Sequence, residues 1–183
     1  MPVLKKPGLD ETSPSSYRPI SNLSIISKLL ERLVARQFVA YLNASRLLPA
    51  TQSGFQRGHS TATAIIRVLS DLLDAVDRDD TAILILLDLS AAFDTMGHRI
   101  LLERLRVTFG VDNSALAWFH SYLSGRRQHV RCGSKCSALI DVICGVPQGS
   151  VLGPILFIIY TAVMESIVTE HALSQSIVAA SVR

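Results

Sequence analysis

"TAILILLDLSAAFDT", residues 81–95, poses the structural question. An apolar run from Ala82 to Leu87 ends on Asp88, and Asp94 follows shortly after. Rich in Ile and Leu and bounded by polar turns, the run reads as a strand buried on both faces. A carboxylate at its end is costly to bury unless something pairs with it. On position alone two readings stay open. Asp88 caps the turn into "SAAF", or it holds a hard divalent cation such as Mg²⁺, whose ligands are carboxylates and phosphate oxygens. Turn or cap duty is the default for Asp94.

Upstream of this run the pattern is helical. "MPVLKKPGLDETSPSSYRPISN" is rich in Pro, Ser and Gly and reads as an extended, looped opening. From Ser24 onward Ile26, Leu29, Leu30, Leu33, Phe38, Tyr41 and Leu42 recur at helical spacing and predict one buried face. "LLPATQSGFQRGHS" interrupts the pattern. A second helix is expected from Thr61 to Arg78, capped by Ser60, with Ile65, Ile66, Leu69, Leu72, Leu73 and Val76 turned inward.

Downstream, a short helix is expected from His98 to Thr108, stopping at Gly110. Another begins near Asp112 or Asn113 and ends at "SGRR", with Gly125 as its C-terminal cap. "RQHVRCGSKCSALIDVIC" reads as two strands around the turn "GSKC". "GVPQGSVLGPILFIIYTAVMESIVTEHAL" reads as a tight loop feeding a long apolar helix, with Pro154 in its first turn. A helical first half and a mixed second half without βαβ alternation indicate an α+β fold.

Composition narrows the class. Of 183 residues, 49% are hydrophobic, which excludes a disordered chain, and the net charge of +3 permits a polyanionic partner without requiring one. Cys132, Cys136 and Cys144 are odd in number, and no secretory leader opens the sequence. Free thiols in a reducing, intracellular setting are expected, with the nucleus one possible compartment. The spacing of Cys132 and Cys136 loosely suits zinc, but no second ligand pair accompanies it. The longest apolar run, Val151 to Met164, is broken by Gly153 and Pro154 and is too short for a bilayer, which needs about 20 residues, so no membrane partner is expected.

Four segments together resemble reverse transcriptases. "LLDLSAAFDT" is similar to the family's first catalytic motif, D-x-x-x-A-F-D, and "GVPQGSVLGP", residues 145–154, to the later motif where a Gln-Gly turn leads into a helix. "LKKPG…SSYRPISNLSIISKLLERLVARQF" resembles the opening block, and "SGFQRGHST" the block after it. They occur in the family's order from about residue 3 to 160, and the wording is nearest to non-LTR retrotransposons of the jockey and LINE type.

The resemblance implies a right-hand polymerase fold, with fingers over 1–80, palm with a fingers hairpin over 81–160, and a divergent tail over 161–183. It also implies an Mg²⁺-dependent RNA-directed DNA polymerase working on an RNA template, a DNA primer and deoxynucleoside triphosphates. Asp88, helped by the Leu89 carbonyl, would then hold the ions. Phe93 falls at the sugar gate, where a ring leaves no room for a 2′ hydroxyl, and Lys6 and Arg18 match the basic pair that clamps the triphosphate. Gln148 and Gly149 fall on the loop packed against the nascent base pair, and Arg57 and His59 near the template. Arg126, Arg127, Arg131 and Lys135 form either a phosphate-tracking cluster or a merely solvated hairpin.

One element of the pattern is absent. Two-ion transfer needs several carboxylates converging on ions about 4 Å apart, and the family draws the others from a later strand-turn-strand with paired aspartates. The last aspartate here is Asp141, ahead of the Gln-Gly loop, with only Glu165 and Glu170 beyond it. The resemblance frays after Tyr160, and neither a thumb nor an endonuclease segment is seen. The expectation is a chain inactive alone, or, alternatively, a non-catalytic remnant with weak nucleic-acid binding. Without the later strands, the strand over 82–88 should lack a pairing neighbour, and the helix over 151–168 should expose apolar residues.

Overall fold

The computed structural model describes residues 3–4, 7–13, 16–18, 20–48, 60–81, 83–84, 93–163 and 170. The opening segment is more ordered than its composition suggests. Strand β1 (Val3–Leu4) pairs antiparallel with β2 (Tyr17–Arg18), setting Val3 opposite Arg18. Between them Asp10 accepts from the Thr12 amide at 2.8 Å, and the Tyr17 hydroxyl donates to the Glu11 carbonyl at 2.9 Å.

Helix α1 (Ile25–Ala44) starts where Ser24 accepts from the Ser27 amide at 3.1 Å, a side-chain cap. Its buried residues are Glu31, Ala35, Phe38 and Leu42. The expected face is therefore corrected: Phe38 and Leu42 turn inward, but Ile26, Leu29, Leu30, Leu33 and Tyr41 are exposed. The helix carries two apolar stripes, and the one that is covered is the one whose Phe38 ring meets Phe119 at 5.1 Å. Although exposed, Tyr41 donates to the Phe109 carbonyl at 2.7 Å and ties α1 to the end of α3.

Helix α2 (Thr61–Asp77) bears the expected cap as a reciprocal pair: Ser60 accepts from the Thr63 amide at 3.1 Å, and the Ser60 amide donates to the Thr63 hydroxyl at 2.9 Å. Its expected buried face is corrected as well. Ala64 is buried, whereas Ile65, Ile66, Leu69, Leu73 and Val76 are exposed. Periodicity shows which residues share a face, not whether a neighbour covers it. The central strand expected over 82–88 is described only at Ile83 and Leu84. Both are irregular and exposed, at 81% and 53%, so at these two positions neither strand nor burial is found.

The core is assembled by the second half. Helices α3 (His98–Val107) and α4 (Asn113–Leu123) join through a turn in which Gly110 adopts φ +63° and the Val111 amide reaches back to the Leu105 carbonyl at 2.8 Å. That left-handed turn drives both Phe109 and Val111 inward. Asp112 accepts from the Asn113 amide at 2.6 Å and opens α4. After Gly125, β3 (Arg127–Gln128) pairs antiparallel with β6 (Ile140–Asp141), and inside that ribbon β4 (Arg131–Cys132) pairs with β5 (Lys135–Cys136). The hairpin is fully exposed, and Cys132, Cys136 and Cys144 are exposed free thiols.

Helix α5 (Gly153–Thr161), with Pro154 in its first turn, packs against α3. Leu152, Leu156 and Ile159 are buried in one cluster with Leu101 and Leu105, and Ile158 is buried too, so the expectation of an apolar face turned to solvent is overturned over these residues. The described chain is thus a helix-rich α+β arrangement with small antiparallel sheets. Among the described residues no helix is long and apolar enough to cross a membrane.

Candidate functional site

Residues 93–98 and 144–153, far apart in sequence, form one seam. The Val146 amide donates to the Phe93 carbonyl at 2.8 Å, and the Gly145 amide to the Met96 carbonyl at 2.7 Å. Gly97 and Cys144 form an antiparallel bridge, and His98 Nε2 donates to the Gly145 carbonyl at 2.7 Å. Gly145 has φ +81°, and a Cβ there would stand 2.7 Å from the Phe93 oxygen and 2.8 Å from the Asp94 oxygen. Only glycine allows so close an approach.

The half-buried Phe93 ring lies against Phe157 of α5, with centroids 5.5 Å apart, and a Cβ on Gly153 would come within 3.8 Å of it. The expected sugar-gate residue and the expected Gln-Gly loop are thereby brought together on the start of one helix.

The loop itself is anchored to the chain's first segment. Ile20 and Gln148 form a parallel bridge, and the Ser21 amide donates to the Gln148 carbonyl at 3.0 Å. Gly149 is exposed with φ +91°, and Ser150 turns back to Pro147 at 3.0 Å. Ser150 also accepts from the Gly153 amide at 3.0 Å, so the turn "PQGS" meets the first residue of α5. Gln148 Oε1 is buried and has no hydrogen-bond partner among the described residues.

Sequence reasoning missed Glu31. It is 1% exposed, and its Oε2 accepts from the Val151 amide at 2.6 Å and the Leu152 amide at 3.4 Å. Ser27 donates to Oε1 at 3.4 Å. These amides open α5, where unpaired N–H groups favour an anion. The available signal was an acid in register with Ala35, Phe38 and Leu42 on α1.

Tyr122 lies near Glu31 and Ser150, and its phenol is pushed up to about 12, first by burial. The Glu31 carboxylate pushes in the same direction, while Ser150 and Arg126 oppose it. The Tyr122 hydroxyl is buried without a partner at hydrogen-bonding geometry among the described residues. Arg126 is pinned to Tyr122, donating to its carbonyl at 3.1 Å with the guanidinium 5.1 Å from the ring centre. Arg127, Arg131 and Lys135 instead stand exposed on the hairpin.

Asp88, Leu89, Lys6, Arg57 and His59 lie outside the described residues, and Arg18 is placed by its backbone in β2. Among the described residues no three His, Cys, Asp or Glu side chains converge to hold a metal ion.

The family described as "Reverse transcriptase (RNA-dependent DNA polymerase)" matches residues 4–180, past the point where the quoted motifs end. Over 159 residues the chain is 41% identical to "Probable RNA-directed DNA polymerase from transposon X-element" of Drosophila melanogaster, covering 87% of this chain and 17% of that protein. It is 39% identical over 160 residues to the transposon BS counterpart from the same organism, again covering 17% of the relative. It is 34% identical over 162 residues to "RNA-directed DNA polymerase from mobile element jockey" of Drosophila funebris, covering 88% of this chain and 18% of that protein. The chain thus spans under a fifth of the length of these relatives.

Proposed function

Because this chain belongs to the reverse transcriptase family, in its non-LTR retrotransposon branch, we propose that it forms the fingers and part of the palm of an RNA-directed DNA polymerase. In this reading the loop around Gln148 and Gly149 faces the template and the incoming deoxynucleotide. Phe93 lies beneath the sugar, and Lys6 and Arg18 draw in the triphosphate. Asp88 and the Leu89 carbonyl are the proposed anchors for Mg²⁺.

The observation that carries the reading is the 2.8 Å bond from the Val146 amide to the Phe93 carbonyl, which joins the two motifs at one place. A ring held there from below and a Gln acceptor on the adjoining loop can judge the shape of a nucleotide pair without themselves doing chemistry.

These 183 residues are proposed to position substrates and not to turn them over, since within them no paired aspartates follow the loop. The test is primer extension by the purified chain on a primed RNA template, with Mg²⁺ or Mn²⁺. No extension, combined with template-primer binding that weakens with salt, is the expected result. Extension that Asp88→Ala abolishes would show that another carboxylate completes the site. Binding that Arg127→Ala and Arg131→Ala remove, but Gln148→Ala does not, would favour a remnant that holds nucleic acid through its hairpin alone.

A further inference from the structure

We propose that Glu31 is a positioning residue for the Gln148–Gly149 loop, an inference that rests on reading this loop as the template- and nucleotide-facing surface. The loop is gripped at both ends by one short stretch of chain. At its upstream end the Ser21 amide donates to the Gln148 carbonyl at 3.0 Å. At its downstream end the Glu31 carboxylate takes the amides of Val151 and Leu152.

This carboxylate does more than serve the helix: Leu152, the N-cap residue of α5, carries no side-chain cap bond, and the amides Glu31 takes belong to the end of the loop as well as to the helix start. Ser150 accepts from the Gly153 amide at 3.0 Å. Glu31 holds the two residues between Ser150 and the helix, where the loop's direction is set. Burying a carboxylate to 1% exposure carries a large desolvation cost. Among the described residues no cation forms an ion pair with it, so the amides and the helix's positive end are its compensation. The same carboxylate lies beside the buried Tyr122 hydroxyl and Ser150, so the wall behind the loop is built from α1 and α4 together.

Substituting an amide separates charge from shape. In Glu31→Gln the remaining oxygen can still accept from both Val151 and Leu152, the NH₂ group replaces the oxygen that faces Ser27, and the negative charge at the helix start is lost. The loop should loosen with little change in packing.

The experiment uses the 183-residue chain, an RNA template annealed to a fluorescent DNA primer, and backbone hydrogen exchange. Glu31→Gln is compared with wild type, with Gln148→Ala and with Leu105→Ala, a core truncation that lowers stability without removing a hydrogen bond to the loop. Glu31→Gln is expected to speed exchange at residues 148–152 beyond what Leu105→Ala does. It should also weaken template-primer binding about tenfold, equivalent to about 1.4 kcal/mol. Its salt dependence should stay unchanged, because Glu31 neutralises no phosphate. Gln148→Ala should weaken binding similarly, and Leu105→Ala should leave the affinity of the folded chain alone. Wild-type exchange and affinity in Glu31→Gln, or the same losses in Leu105→Ala, would overturn the proposal. If the wild-type chain does not bind at all, the loop reading fails, and the exchange comparison alone decides whether Glu31 sets the loop.

Discussion

The carbonyl of Phe93 and the amide of Val146 meet at 2.8 Å, although more than fifty residues of chain separate them. Everything between, from α3 through the exposed hairpin, leaves and returns at this point. Gly145 is what lets the two strands of the seam close.

Gly145→Ala should therefore be among the most damaging small substitutions. Its added methyl would stand 2.7 Å from a backbone oxygen that cannot step aside, at φ +81°. A loss of about 2 kcal/mol or more is expected in urea unfolding. Gly133→Ala, with φ +59° but nothing within 4 Å, isolates the conformational part and should cost about 1 kcal/mol.

Core and surface leucines should part widely. Leu105→Ala empties a fully buried position and should cost about 2–5 kcal/mol. Leu73→Ala, on the outer stripe of α2 at 62% exposure, should change stability by less than about 0.5 kcal/mol. A large loss at Leu73 in the same unfolding assay would mean that α2's apolar stripe is covered in solution.

That contrast marks how far the sequence can be read. Helix starts were legible because a cap is a local device: Ser60, Asp112 and Pro154 act within a turn of where they sit. The seam was legible only through resemblance, since no local rule brings residue 93 to residue 146. The facing of α1 and α2 was not legible. Both helices have more apolar residues than one face can hold, and the choice between stripes is made by partners distant in the chain. Glu31 escaped notice for a related reason, because an acid among leucines on an isolated helix looks like a solvated charge.

Tyr122 offers a test by pH. Its phenol is raised to about 12 from an ordinary value near 10, so the unfolded chain loses its proton first as pH rises. Between those values the folded state binds more protons, and stability falls with pH. Below pH 10 the contribution is fully present, and above about 12 the fall ends. The difference between wild type and Tyr122→Phe in urea midpoints should show this decline. At neutral pH, Tyr122→Phe should change stability by less than about 1 kcal/mol, because the buried hydroxyl has neighbours in Ser150 and Glu31 but makes no bond of good geometry among the described residues.

The exposed hairpin makes a separate prediction. If Arg127, Arg131 and Lys135 lie along a nucleic-acid backbone, replacing all three by Ala should flatten the dependence of log K on log salt for single strands. The slope should change by about 0.7 for each phosphate that is no longer neutralised. An unchanged slope would leave the hairpin a solvated ribbon.

The bond from the Val151 amide to Glu31 spans 120 residues and gives synthesis of this chain a timetable. Helix α1 leaves the ribosome before α5, with an acid set in the stripe that packs inward. Its partner amides are made about ten seconds later at cellular elongation rates of 5–20 residues per second. Until then the charge keeps that stripe solvated and discourages premature collapse of the first helices. The last described helix thereby acts as the latch that lets the first one dock, and a chain interrupted before residue 151 would be left with an acid that nothing neutralises.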